Sequence, residues 1–125
     1  MTERKHRRQW RHYETVAGKK PVLEFIRALP DDDAAEIFAA MAEVRDEGVV
    51  AARHLRGDIF EVRVDGVNRI FRVLFAAEGR FSHVLLSLSA FTKKTQKTPP
   101  SEIDTAEKRL NDWRSRAQRK SLGKR

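Results

Sequence analysis

Residues 55–75 read LRGDIFEVRVDGVNRIFRVLF, and the change of period inside this stretch decides the fold. Phe60, Val62 and Val64 alternate with Glu61 and Arg63, the period of two expected of a half-buried strand. Asp65-Gly66 supplies the turn chemistry of a tight hairpin. Arg69 to Ala76 (RIFRVLFA) then returns as a second strand, apolar on both faces except at Arg69 and Arg72. Glu78-Gly79-Arg80 turns the chain again, and Phe81 to Ala90 forms a third strand rich in Val, Leu and Ser. Three strands joined by short turns make an antiparallel meander.

Upstream of the meander the pattern is helical. Trp10 to Val16 can form a short first strand that Gly18 breaks. From Pro21 to Leu29, Val22, Phe25, Ile26 and Leu29 share one helical face. Pro30 stops that helix, and Asp31-Asp32-Asp33 opens another, because carboxylates are favoured at a helix N-terminus. Ile37, Phe38, Met41 and Val44 form its apolar stripe, and Gly48 closes it. Downstream, Ser101 is placed to cap a last helix, with Asp104 completing a pattern like a capping box. Ile103, Ala106, Leu110, Trp113 and Ala117 form its seam. The expected fold class is α+β: an N-terminal helical hairpin packed on a small antiparallel sheet, with a C-terminal helix. Residues 1–117 form one domain, and the basic remainder 118–125 (QRKSLGKR) is expected to be a disordered tail.

A chain of 125 residues with 40% hydrophobic content is long enough for one modest core. Its formal net charge of +8 favours nucleic acid, an acidic protein or an anionic membrane surface as a partner. The sequence contains no cysteine, which excludes disulfides, thiolate catalysis and cysteine-type zinc sites. No apolar stretch approaches the roughly 20 residues that span a bilayer. The basic N-terminus, MTERKHRRQWRH, is followed by no apolar segment of the kind a secretory signal needs. A cytoplasmic protein with no membrane partner is expected.

After the third strand comes FTKKTQKT (Phe91 to Thr98), which ends at Pro99-Pro100. Clustered cations and hydroxyls beside an aromatic ring suit phosphates and stackable bases, and so RNA. Arg56, Arg63, Arg69 and Arg72 can converge with Lys93, Lys94 and Lys97, because the meander makes these strands neighbours. Arg72 interrupts a central strand, where a lone buried guanidinium is costly. It either pairs with a carboxylate, Glu61 being the nearest choice, or lines a groove. Phe91 stacks on a base or belongs to the core. The four histidines show no metal-ligand spacing, and residues 31–33 are read as a helix start rather than a metal site. No P-loop, GxGxxG or Ser-His-Asp order is present. Neither a metal nor a cofactor is expected.

Together, LRGDIFEVRVDGVNRIFRVLF and LLSLSAFTKKTQKTPPSEIDTAEKR (Leu85 to Arg109) resemble the phage-derived HigB-like branch of the RelE superfamily, toxins of type II toxin–antitoxin systems. The resemblance extends over residues 20–117 and implies a RelE-like fold. It also implies an mRNA endoribonuclease that enters the ribosomal A site and needs no metal. In such enzymes the ribose 2′-hydroxyl attacks the adjacent phosphate, leaving a 2′,3′-cyclic phosphate and a 5′-hydroxyl. The resemblance makes Arg63, Arg69 and Arg72 phosphate and transition-state contacts. Lys93 and Lys94 become substrate contacts or proton-transfer groups, Phe91 a stacking ring, and Arg56 and Lys97 further substrate contacts. The implied partners are mRNA, the ribosome and a helix-turn-helix (HigA-like) antitoxin. Some superfamily members use a tyrosine or histidine near the C-terminus as the acid–base group; this chain has neither after His83, and its one tyrosine is Tyr13. Two alternatives remain open: a gyrase-directed toxin resembling ParE, and a nucleic-acid-binding module without activity.

Overall fold

The computed structural model describes residues 7–123. The chain runs β1 (Gln9–His12), α1 (Pro21–Arg27), α2 (Asp31–Glu47), β2 (Arg53–Arg56), β3 (Ile59–Asp65), β4 (Ile70–Glu78), β5 (Val84–Thr92) and α3 (Pro100–Gly123). The strands form one sheet in the order β1-β5-β4-β3-β2. The meander of β3, β4 and β5 is antiparallel as expected. The sheet as a whole is mixed, because β1 lies parallel to β5, with Gln9 opposite Val84 and His12 opposite Ser87.

Two expectations are corrected here. The short strand expected over Trp10 to Val16 is present but lies at Gln9–His12, ahead of the helical pair expected as the N-terminal element, and the sheet is not wholly antiparallel. Trp10 holds the parallel edge in place: its ring meets Phe75 edge-on at 5.1 Å. Its indole N–H donates to the Met41 carbonyl at 2.7 Å, satisfying the polar end of a largely buried ring. Strand β2 was not foreseen, since RHLR shows no alternation. It exists because β3 offers it an edge, pairing Arg53 with Glu61 and Arg56 with Ile59 around a bulge.

Helix α1 begins on Pro21, whose fixed φ suits a first helical position. In α2 the three aspartates occupy the first turn, and Gly48 ends the helix at φ 89°, its N–H donating to Val44. Ile37, Met41 and Val44 are buried, but Phe38 is 46% exposed. One residue on from Ile37, it lies about 100° further round a helix of 3.6 residues per turn. Val22, Ile26 and the buried α2 residues pack on one sheet face with Val62, Val64, Phe71, Val73, Phe75 and Leu85.

The other sheet face carries α3. Ala106 and Leu110 are buried there among Ile59, Leu74, Ala76, Leu86 and Leu88, with Ile103 and Trp113 partly covered. Ala117, assigned to the seam by its spacing, is exposed. The helix starts at Pro100, and the Glu102 N–H donates to the Pro99 carbonyl, so Ser101 lies inside the first turn instead of capping it. The helix continues through residues 118–123, which composition had placed in the tail. Among the described residues no helix is long and apolar enough to cross a membrane.

The third strand begins later than expected. Phe81 and Ser82 have φ of 59° and 54°, and these left-handed positions keep them in the turn. The β3–β4 loop also has a fixed shape. A Cβ on Gly66 would lie 2.6 Å from the Phe71 ring and 2.7 Å from an Asp33 oxygen, so only glycine fits.

Candidate functional site

Alternation along β3 and the register with β4 and β5 put Glu61, Arg63, Arg72 and Phe91 on the face that α3 covers only in part. Arg72 and Glu61 form a buried ion pair at 3.2 Å, with side chains only 4% and 3% exposed. Arg72 therefore pairs with a carboxylate and also lines a cleft, so the two alternatives for it are not exclusive. The pair also reaches across to the run after β5. One guanidinium nitrogen of Arg72 donates to the Thr98 hydroxyl at 2.6 Å, and the other donates to the Gln96 carbonyl at 2.7 Å. The Thr98 hydroxyl in turn donates to Glu61. The Arg72 Nε is buried without a partner.

These contacts fold residues 93–98 into a loop with clefts on its sides. At the loop's other end the Lys93 N–H donates to the Ile70 carbonyl at 2.7 Å. An open cleft of 620 Å³ lies between this loop and the tip of the β3–β4 hairpin, lined by Asp65, Asn68, Arg69, Lys93, Lys94 and Gln96 among others. A second, of 390 Å³, contains Arg53, Glu61, Arg63, Arg72 and again Gln96. A third, of 340 Å³, contains Phe25, Phe91, Lys94 and Glu102. The lysine loop is thus the wall that the three clefts share.

The fold divides the cations chosen from sequence. Arg69, Lys93 and Lys94 line one cleft. Arg63, which is 57% exposed and 3.6 Å from Asp65, lines the next with Arg72. Phe91 is half-buried against the α3 core and also lines the third cleft. Arg56 is drawn away: its guanidinium grips Asp104 at 2.6 Å and Glu107 at 2.8 Å on α3. Those two carboxylates raise its pKa above the usual arginine value and fix its charge in a surface pair. Lys97 is exposed and lines none of the three clefts.

Sequence reading missed four contributors. Arg53 joins Arg63 and Arg72 only because β2 pairs with β3. Thr98 and Gln96 matter through the Arg72 contacts just described. Asp33 is buried in the first turn of α2, accepts the Val67 N–H at 2.8 Å and faces Arg69 at 3.9 Å, which pins the hairpin tip. The hydroxyl-rich lysine run was the one available signal for Thr98. Tyr13 lies far from these residues in role: its hydroxyl donates to Asp112 on α3 at 2.7 Å, and Arg116 and Arg109 stand over its ring. No histidine or tyrosine lines the three clefts. Among the described residues no group of His, Cys, Asp and Glu side chains is arranged to hold a metal ion.

Residues 24–111 match the family described as phage-derived protein Gp49-like (DUF891), a span that includes every residue lining the three clefts. The chain belongs to the Gp49-like family. This agrees with the phage-derived kinship inferred from the LRGDIFEVR and FTKKTQKTPPSEI segments. Two curated relatives, from the Mycobacterium tuberculosis strains CDC 1551 / Oshkosh and ATCC 25618 / H37Rv, are each named "Probable endoribonuclease HigB1". Each is 35% identical over 109 residues, covering 84% of this chain and 84% of its own length. Strand β1 and the last turns of α3 lie outside the Gp49-like match.

Proposed function

We propose that the protein is the toxin of a toxin–antitoxin pair and an endoribonuclease that cuts mRNA in the ribosomal A site. The observation that carries this reading is the cation-walled cleft between the hairpin tip and the lysine loop, in a chain 35% identical to proteins named as endoribonucleases. The cleft is open enough for an RNA backbone. Arg69, Lys93 and Lys94 would surround a scissile phosphate there and stabilise the charge that grows on its oxygens in the transition state. The ribose 2′-hydroxyl attacks phosphorus and gives up its proton to solvent water, the bond to the 5′-oxygen breaks, and a 2′,3′-cyclic phosphate remains. A lysine ammonium of the loop is the proton donor within reach of the departing 5′-oxygen. Arg63 and Arg53, on the other side of the loop, would hold a neighbouring phosphate through planar guanidinium forks. Phe91 offers a ring edge for a base beside Lys94. Arg72 acts through the loop it anchors, and Arg56 serves the attachment of α3.

A helix-turn-helix antitoxin of HigA type is the proposed partner. A net charge of +8 would speed its capture where it presents acidic surface. Such a pair would act in the cytoplasm. A second reading, a gyrase-directed toxin that cuts no RNA, is favoured by one observation, the lack of any tyrosine or histidine in the clefts.

Primer extension on a defined mRNA in a reconstituted translation reaction tests the proposal. Cuts in register with the A-site codon that vanish without ribosomes are the expected result. Lys93→Ala with Lys94→Ala should reduce cutting by about 100-fold or more while the protein stays folded. Arg56→Ala should leave cutting by the folded protein intact. Intact mRNA with blocked supercoiling by gyrase would replace the first reading with the second.

A further inference from the structure

We infer that Thr98 is a positioning residue, the bolt that holds the lysine loop in its working place through the Arg72–Glu61 pair. This deepens the proposed function and rests on it. A hydroxyl offers one donor and two acceptor sites. Thr98 uses the donor on Glu61 of β3 and an acceptor site on Arg72 of β4. Arg72 spans the loop's far end with its two terminal nitrogens, one on Thr98 and one on the Gln96 carbonyl. Both ends of the loop are therefore tied to β4, since Lys93 is bonded to Ile70 at the near end. Pro99 and Pro100 follow at once, and their fixed φ gives the chain little slack to absorb movement.

The reason such a bolt matters lies in lysine itself. A lysine side chain is a flexible four-carbon stem, and nothing but its backbone sets where the ammonium can reach. Lys94 is exposed and Lys93 is partly so, so neither is held by packing at its tip. Fixing the loop backbone is then the means of keeping both ammonium groups on the cleft wall. A displacement of about 1 Å at a reacting centre can cost about 100-fold in rate. Gln96 lines the clefts on both sides, so freeing Thr98 would shift both walls at once.

The test uses full-length protein carrying Thr98→Val, which keeps the shape and removes the hydroxyl, and Thr98→Ser, which keeps the hydroxyl. In Thr98→Val, the loop amide of Lys93, which donates to the Ile70 carbonyl, should exchange hydrogen about 10-fold faster than in the parent, while the amides of the sheet interior are unchanged. In the translation assay kcat should fall by about 100-fold with KM little altered, and Thr98→Ser should restore both readouts. Unchanged loop exchange in Thr98→Val, or failure of the serine to rescue, would overturn the role. Thr98→Ala repeats the experiment without placing a new methyl beside the charges. Loss of folding in both variants would make Thr98 an ordinary core contact and also overturn it. If the parent protein cuts no RNA, the proposed function falls, and loop exchange alone decides whether Thr98 is the tether.

Discussion

Arg72 and Glu61 have nearly equal and almost complete burial, so each depends on the other for its charge to be tolerated. Removing one partner leaves the other desolvated and unpaired. Glu61→Ala should therefore cost about 3–5 kcal/mol in urea unfolding. The double change Glu61→Leu with Arg72→Met should regain part of that loss, because two apolar side chains replace two buried charges. It should not regain all of it, since the Gln96 carbonyl and Thr98 hydroxyl lose their donor. A single-residue view of the sequence could name Arg72 as out of place in an apolar strand. It could not tell pairing from groove lining, because the deciding atoms belong to β3 and to the loop after β5.

Elements differ in how far their own residues specify them. The β3–β5 meander and the two central helices follow from local periodicity and turn residues, and the structure agrees with nearly all of their apolar faces. Strand β1 is different, because its partner lies at the other end of the domain. Here His12 bonds the Ser87 hydroxyl on β5 at 2.7 Å. Burial holds its pKa below the ordinary 6.5, and the nearby charges of Lys20 and Arg27 push it the same way. The unfolded chain thus takes up a proton first as pH falls, and stability declines from about pH 6.5 down to the lower folded value. Thermal unfolding between neutral pH and pH 5 should show that decline, and His12→Gln should flatten it. The attachment of α3 depends on comparable long-range contacts: Tyr13 to Asp112, Arg56 to Asp104 and Glu107, and Arg114 to Glu78 and Asp58.

Across the whole molecule the charge is unevenly spread. Asp31, Asp32, Glu36, Glu43, Asp46 and Glu47 lie exposed on α2, which packs on one sheet face. Arg53, Arg63, Lys93 and Lys94 line the clefts around the loop after β5. RNA binding by this surface should weaken steeply with salt as counterions are released from phosphates. Removing Lys93 and Lys94 together should reduce the slope of log K against log salt by about 1.4, at 0.7 per single-strand phosphate contact. An unchanged slope, measured by filter binding or fluorescence anisotropy, would mean that the lysines touch no phosphate.

The sequence by itself determined the α+β class, the meander, the helical stripes and the Gly66 turn. It also carried the kinship with Gp49-like proteins, whose family match covers residues 24–111. These are properties of neighbouring residues, where period, turn chemistry and motif are written locally. Only the tertiary structure decided that β1 lies parallel beside β5, that β2 exists, and how the cations are divided. Arg56 went to carboxylates on α3 and Arg72 to Glu61 at the wall of one cleft, while Arg63, Arg69, Lys93 and Lys94 line the clefts with their charges more exposed. An arginine's role depends on which oxygen it reaches, and that oxygen can come from any point of the chain.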